Sequence, residues 1–297
     1  MTLPLGPISC VTIATSDLQR MIDTYALYLG YELVDSGKLP ADLAAIWARP
    51  GLAGRRHALM LPGGEGRTFI RFVESRPVPD YVAFRHFGWN AAELMVQDTD
   101  AVAARLQDSP FKIIGPPADL SFSDKIRAMQ VLGPAHESLY LTSFKEKLPQ
   151  FDTPDAKHFI DRVFIVILGG RTAAGVNQFY REQFELAMAP VIPGVISVIS
   201  NAHGLPSETP HELAAITLSG QSFIEADTMP ASTTPRPEIA GELPPAISMV
   251  SFGVDSIERV RPLWLAPART LPMAPYHGRR AAVCAGAAGE WIELIEN

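Results

Sequence analysis

With 297 residues, of which 47% are apolar and 19% charged, the chain is long enough to form two domains with substantial cores. Its net charge of −7, without a cluster of basic residues, argues against a nucleic-acid partner and favours a small molecule. No apolar run reaches the roughly 18 residues of a membrane span and no signal peptide is recognisable, so we expect a cytoplasmic protein without a membrane partner, and a homo-oligomer stays open.

The first quarter of the chain predicts one strand, one helix and then three more strands. The strand covers 8–14, and Asp17 is a typical N-cap for the helix that follows it. Gly30 is the expected stop of that helix. The remaining strands are predicted at 31–34, 57–61 and 69–73, the last two joined by a glycine turn at 63–64. The order is β-α-β-β-β.

A similar order recurs in each of the other three quarters, which indicates an internally repeated architecture. Helices are predicted at 98–106, 176–184 and 256–260, and strands at 91–96, 111–114, 127–131, 138–141, 162–167, 213–218, 223–226, 249–254, 280–284 and 291–295. A charged stretch with two prolines, 145–157, has no apolar period. We therefore predict an N-terminal domain at 1–148, a linker at 149–157 and a C-terminal domain at 158–297.

Several short motifs in these repeated units are typical of a known superfamily. They are Val11-Thr-Ile-Ala-Thr-Ser-Asp-Leu18, Tyr25 with Leu29-Gly30-Tyr31, Phe179-Tyr180, and Gly289-Glu-Trp-Ile-Glu-Leu294. On these residues the chain resembles the vicinal oxygen chelate superfamily, which includes glyoxalase I, bleomycin-resistance proteins and type I extradiol dioxygenases. The resemblance implies an α+β fold of four βαβββ modules, paired into two half-barrel, cup-shaped domains. Sequential pairing would place modules one and two in one cup and modules three and four in the other.

The resemblance also implies where a metal would be bound, because inward residues of several strands can converge on one ion. In that superfamily the ligands lie on the first and last strands of paired modules. The matching residues here are Cys10, Ala91, Arg162 and Met249 on first strands, and Arg71, Tyr140, Glu225 and Glu293 on last strands. None is histidine, so we predict no metal and no other cofactor. A divalent iron, manganese or zinc ion is the alternative.

The N-terminal cup is expected to be degenerate or structural, with an organic anion bound by Arg71 and Tyr140 as the alternative. In the C-terminal cup, the positive charge of Arg162 would neutralise Glu225 and Glu293 in place of a metal ion. Those three are the predicted catalytic residues, and Met249, His277, Arg280, Arg71 and Tyr140 are the predicted substrate-binding residues.

Three uses of the C-terminal set stay open: a buried Arg–Glu network without chemistry, an acid–base site, and ligand binding without turnover. The second would suit a metal-independent lyase, isomerase or epimerase that acts on an oxygenated or aromatic-derived small molecule. The alternatives are a binding or sequestering protein and an extradiol-type dioxygenase with altered ligands. The proline-rich stretch 228–238 is either a flap over the cup or a connector.

Overall fold

A computed structural model describes residues 4–121, 123–148, 151–260 and 264–297. Module one contains β1 Leu5–Thr15, α1 Leu18–Thr24, β2 Tyr31–Lys38, α2 Ala41–Ile46, β3 Arg56–Pro62 and β4 Phe69–Glu74. Module two contains β5 Gly88–Val96, α3 Thr99–Leu106, β6 Lys112–Leu120, β7 Ser123–Leu132 and β8 Ser138–Phe144. Module three contains β9 Ile160–Gly170, α4 Ala173–Phe184, β10 Ile192–Val195, α5 Ser197–Ala202, β11 Pro210–Leu218 and β12 Ser222–Thr228. Module four contains β13 Ile247–Val254, β14 Arg269–Leu271, β15 Arg279–Ala285 and β16 Trp291–Glu296.

The helix boundaries follow the predicted capping chemistry. The side chain of Asp17 accepts a hydrogen bond from the backbone N–H of Arg20 at 3.1 Å, and α1 continues as a π-helical turn to Leu29. Gly30 then adopts a left-handed conformation with φ of 71°, which a glycine tolerates without a Cβ clash. In module four, by contrast, the helix expected at 256–260 is only a short 3-10 turn, Ile257–Arg259. The sequence pattern did not predict α2, α5, β10 or β14.

The strands form two eight-stranded sheets, in an α+β fold of two curled half-barrels. Sheet 1 has the order β14-β15-β16-β13-β1-β4-β3-β2 and joins modules one and four, whereas sheet 2 has the order β10-β11-β12-β9-β5-β8-β7-β6 and joins modules two and three. The sequential pairing predicted from the sequence is therefore not the one observed, and the boundaries 1–148 and 158–297 do not separate the sheets. Within the predicted linker, 149–150 lie outside the described residues, and 151–157 form neither helix nor strand.

One large hydrophobic core lies between the two sheets and includes the apolar faces of α1, α3 and α4. Two tyrosines cross this layer: the hydroxyl of Tyr25 donates to Glu137 at 3.0 Å, and the hydroxyl of Tyr180 donates to Glu290 at 3.1 Å. The two contacts are equivalent, because each links the helix of an odd-numbered module to the last hairpin of the module after it. Among the described residues, no helix is both long and apolar enough to cross a membrane.

The opposite face of each sheet encloses a separate cluster of inward side chains. We call the face of sheet 1 that packs against α2 the first cup, and its apolar residues include Trp47, Met249 and Tyr276. The second cup is the face of sheet 2 that packs against α5, with Phe84 and Tyr140 among its residues. Because alternate residues of a strand face one side, the polar residues of each cup can be read from these strands.

Candidate functional site

The first cup is centred on a buried ion pair between Arg71 on β4 and Glu293 on β16. Nη2 of Arg71 lies 3.6 Å from Oε2 of Glu293, and both side chains are fully buried. Neutral donors surround the carboxylate: Oε1 accepts from the indole N–H of Trp47 at 2.9 Å and from the hydroxyl of Tyr276 at 2.8 Å, and Oε2 accepts from the hydroxyl of Ser251 at 2.5 Å. Since Glu293 is held on both oxygens, it is poorly placed to exchange protons with a ligand.

The remaining first-cup side chains are packed around the guanidinium. Its carbon lies 5.3 Å from the ring centre of Trp47 and 5.4 Å from that of Tyr276, within the range of cation–π contacts. Burial raises the pKa of Cys10 to about 11 despite the opposing charge of Arg71, so this thiol stays neutral at physiological pH. Burial, followed by the charge of Arg71, lowers the pKa of His57 on β3.

The second cup contains three carboxyl groups from two strands. Glu93 lies on β5, and Glu225 and Asp227 lie on β12, on the far side of β9. Asp227 is fully buried, Glu93 is 7% exposed and Glu225 is partly exposed. Burial, with the nearby charge of Glu225, raises the pKa of Glu93 to about 8. Burial raises the pKa of Glu225 to about 7, and it raises the pKa of Asp227 well above the usual value, with Glu225 and Glu93 adding to the effect.

Several buried polar atoms of the second cup have no hydrogen-bond partner within the described protein. They are both carboxyl oxygens of Asp227, the amide oxygen of Asn90, the hydroxyl of Tyr140 and the hydroxyl of Thr142. Tyr140 pairs with Glu93 across β5 and β8. Burial raises the pKa of the Tyr140 phenol well above its ordinary value, and the three carboxyls add to this effect. Buried polar atoms are rarely left without partners, so this group is suited to contact a ligand or water.

A cavity of about 570 Å³ lies on the side of the second cup formed by Phe84 and α5. Its lining is mainly apolar and includes Tyr81, Phe84, Ile114, Leu132 and Val198, while Lys112 and His136 supply basic groups. The ring of Phe84, which lines the cavity, lies 6.4 Å from the ring of Tyr140, centre to centre; Glu93, Glu225 and Asp227 are not among the lining residues. A volume of this size lies within the usual range for small-molecule pockets.

Phe84, one of the residues that line the cavity, has an unusual backbone conformation. Phe84 has φ of 62°, which is uncommon for a large side chain and persists where surrounding contacts enforce it. Nε2 of His203 donates to the carbonyl of Phe84 at 2.8 Å, and Nδ1 of His203 lies 2.7 Å from the hydroxyl of Ser232. The guanidinium of Arg85 donates to the carbonyl of Ala202 at 2.9 Å. The proline-rich 228–238 segment thus packs near the cavity wall through Ser232.

The predicted catalytic residues are distributed over different places. Glu225 is in the second cup and Glu293 in the first, so they do not act on one ligand in this arrangement. Arg162 is the third residue of β9, and its guanidinium donates to the carbonyls of Gly220 and Gln221 in the turn before β12, at 2.9 and 3.1 Å. The arginine beside a cup carboxylate is Arg71.

The predicted substrate-binding residues are similarly divided. Met249 and Arg71 lie in the first cup, and Tyr140 lies in the second. His277 is exposed. Arg280 pairs with Glu258 at 2.6 Å and with Glu296 at 3.5 Å. His211 forms a 2.8 Å hydrogen bond through Nε2 with the hydroxyl of Ser200 on α5.

Sequence reasoning missed Glu93, Asp227 and Phe84. The two carboxyls had a usable signal, because Glu93 follows Ala91 by two residues and Asp227 follows Glu225 by two. Residues two apart on a strand face the same side, so both carboxyls share the cup-facing side with the positions already identified. Phe84 had no such signal, since it lies between the predicted strands.

Two solved structures illustrate a resemblance that spans the whole chain. Glyoxalase I from Zea mays superposes with a TM-score of 0.66 at 14% identity, covering 98% of this chain and 93% of that chain. A Bacillus subtilis protein, described only provisionally as a dioxygenase, gives a TM-score of 0.62 at 13% identity, covering 99% and 86%. The chain has the vicinal oxygen chelate fold in its two-domain form. At these identities the likeness extends to the fold alone, and no family model or curated protein matches the sequence.

This fold implies a metal in a cup, and the donor sets can be tested against that expectation. Over the described ranges, no group of three or more His, Cys, Asp or Glu is arranged to hold an ion. In the first cup the Arg71 guanidinium lies against Glu293, where a cation would be repelled. In the second cup, Glu93, Glu225 and Asp227 are not arranged, among the described residues, as a group that could hold an ion. These residues do not fit the implied metal.

Proposed function

We propose that the second cup is the active site of a metal-independent enzyme that transfers protons on a small oxygenated molecule, as a lyase, isomerase or epimerase. The observation that carries this proposal is the placement of Glu93 and Glu225 in one cup beside unpartnered buried polar atoms, where burial raises their pKa values to about 8 and about 7. At neutral pH such a pair holds about one proton between its two members, so that one carboxylate accepts a proton while the other group donates one.

The chemistry needs only proton transfer. The ionised carboxylate removes a hydrogen α to a carbonyl, and the electrons of the C–H bond form the enolate. The protonated partner supplies a proton to the carbonyl oxygen, which gives the enol. Return of a proton to the opposite face yields an epimer, return at the neighbouring carbon yields an isomer, and loss of a β substituent yields a lyase product. Tyr140, and Asp227 in the protonated form that burial favours, are further donors for the developing oxyanion.

We assign the roles differently from the sequence-based hypothesis. Glu225 remains a proton-transfer residue, Glu93 takes the place of Glu293 as its partner, and no catalytic role is assigned to Arg162. The reason is position, since Glu293 is bound by three donors in the other cup and Arg162 donates to main-chain carbonyls.

The cavity supports a substrate with an apolar or aromatic body and an anionic group. Aromatic and aliphatic side chains form most of its lining, and they favour burial of an apolar body. Lys112 and His136 are the basic residues of that lining, and a carboxylate or phenolate of the ligand would pair with them. We therefore propose a carboxylate-bearing, aromatic-derived carbonyl compound as the substrate class.

The test is solvent hydrogen exchange, which does not require the final product to be known. Aromatic 2-oxo acids and α-hydroxy ketones are incubated with the protein in D₂O, and loss of the α-proton signal is followed by NMR. We expect exchange that falls at least 100-fold in Glu225→Gln and Glu93→Gln, because general acid–base catalysis contributes about 10²–10⁴-fold. Glu212→Gln is the matched control, since Glu212 is exposed on the neighbouring β11.

Two outcomes would overturn the proposal. Unchanged exchange in both cup variants would remove the carboxyl pair from the mechanism. Near-stoichiometric iron, manganese or zinc in purified active protein, with activity lost on chelation, would contradict metal independence.

A second candidate is ligand binding without turnover, which the apolar cavity favours. Equilibrium binding of the same compounds separates the two functions. If the protein only binds, wild type and Glu225→Gln both bind the compound and neither catalyses hydrogen exchange. If it is the proposed enzyme, both bind the compound, but only wild type catalyses exchange.

A further inference from the structure

The first cup contains a buried cation whose hydrogen-bond donors lack acceptors. Neither Nη1 nor Nη2 of Arg71 has a partner, although the side chain is only 1% exposed. Glu293 balances its charge from 3.6 Å, a separation longer than a hydrogen bond. The carboxylate oxygens already accept from Trp47, Tyr276 and Ser251. The protein therefore neutralises Arg71 without satisfying its N–H groups, and a buried guanidinium requires acceptors.

Two further unpartnered atoms lie on the strands that flank β4. They are the hydroxyl oxygen of Thr12 on β1 and Nδ1 of His57 on β3. Thr12 is the Cα partner of Arg71 in the parallel β1–β4 pairing, and His57 pairs with Val73, two residues beyond Arg71. All three side chains face the first cup, since alternate residues share a face. A hydroxyl and a neutral imidazole can each donate one hydrogen bond.

We propose that the first cup is a binding site for a small monovalent anion, either a halide or a carboxylate of formate size, bound by Arg71, Thr12 and His57. An anion is favoured because all three residues can donate toward it. The Cys10 thiol stays neutral and is a weak acceptor, so it does not satisfy these donors. A small size is favoured because Trp47 and Tyr276 are fully buried over the guanidinium.

The second cup has the opposite character. Its unpartnered atoms include the two oxygens of Asp227 and the amide oxygen of Asn90, which are acceptors or acids rather than cations. The two cups therefore differ in the charge that they would take up, and the anion site is independent of the proposed proton-transfer site.

Thermal unfolding of the whole protein tests the site with defined anions. Sodium bromide and sodium formate are titrated against sodium gluconate at constant ionic strength, because gluconate is too large to enter. We expect a saturable rise of the unfolding midpoint with bromide or formate, as for any ligand that binds only the folded state. Thr12→Val should weaken the apparent affinity about tenfold through loss of one hydrogen bond. Arg71→Met should abolish saturation, while Arg20→Met, at an exposed position, should not.

Because Arg71→Met can also impair folding, wild-type crystals grown in bromide provide an independent measurement. An anomalous peak within hydrogen-bond distance of Arg71 and Thr12 is the expected result. The proposal is overturned if bromide peaks occur only at the surface, or if the midpoint changes equally with gluconate and bromide.

Discussion

Glu137 and Glu290 are buried carboxyls at equivalent hairpins of modules two and four, and their protonation should control stability. Glu137 accepts hydrogen bonds from the hydroxyl of Tyr25 and from the backbone N–H of Ala135, the second at 2.8 Å. Glu290 accepts from the hydroxyl of Tyr180 and from the backbone N–H of Ala288, the second also at 2.8 Å. Burial raises the pKa of each carboxyl to about 7 from an ordinary value of 4.5, despite these donors. The folded state therefore retains these protons over a range of pH in which the unfolded chain has lost them.

The sign and the magnitude follow from this difference. Stability from the protonated carboxyl is fully present below about pH 4.5 and declines as the pH rises to about 7, because the unfolded state ionises first. The pKa of each carboxyl differs between the unfolded state, 4.5, and the folded state, about 7. At about 1.4 kcal/mol per pKa unit, this difference corresponds to about 3 kcal/mol of folding free energy for each group. Glu137→Gln fixes the neutral form, so it should gain about 3 kcal/mol relative to wild type between pH 4 and pH 8.

Urea unfolding at several pH values measures this gain. The amide has one acceptor oxygen for two donors, so a pH-independent loss of about 1 kcal/mol is expected in addition, and the pH-dependent part is the test. Glu290→Gln should behave alike, and Glu208→Gln, an exposed control, should show no such dependence. A constant difference between Glu137→Gln and wild type over pH 4–8 would refute the reasoning.

Other substitutions test the first cup and a helix end by urea unfolding. Glu293→Ala should cost about 3–5 kcal/mol, because it leaves Arg71 buried without a counter-charge; a loss below 1 kcal/mol would contradict the buried pair. Trp47→Phe keeps an aromatic ring but removes one donor to Glu293, and should cost about 1–3 kcal/mol. Gly30→Ala should cost about 1–2 kcal/mol through its φ of 71° alone, since a Cβ there meets no atom within 4 Å; a neutral result would contradict that conformation.

The repeated strand and helix pattern was sufficient to predict the modules but not their pairing. Every module presents an apolar first strand, and β1 pairs with β13 while β5 pairs with β9. These strands are alike in composition, so no local signal distinguishes one partner from another. The choice depends on how the two sheets pack around their shared core, which is a property of the whole chain.

The candidate site could be predicted only in part. Glu225 and Tyr140 were identified from their strand positions, and the structure places both in the second cup. The arginine that neutralises a cup carboxylate was expected at Arg162 but is Arg71, because the observed pairing brings β4 and β16 into one sheet. The segments that cover the cups, α2 and α5, are six residues each, too short to show a clear helical period.

Direct titration of Glu93 and Glu225 tests the central claim that these two carboxyls of the second cup hold a transferable proton at neutral pH. Carboxyl ¹³C NMR on glutamate-labelled protein would follow both groups, with Glu93→Gln and Glu225→Gln used to assign the signals. We predict pKa values of about 8 for Glu93 and about 7 for Glu225, with the pKa of Glu93 lowered in Glu225→Gln because a neighbouring negative charge is removed. If both carboxyls instead titrate near 4.5, the ordinary value, neither holds a proton at neutral pH and the proton-transfer account is contradicted.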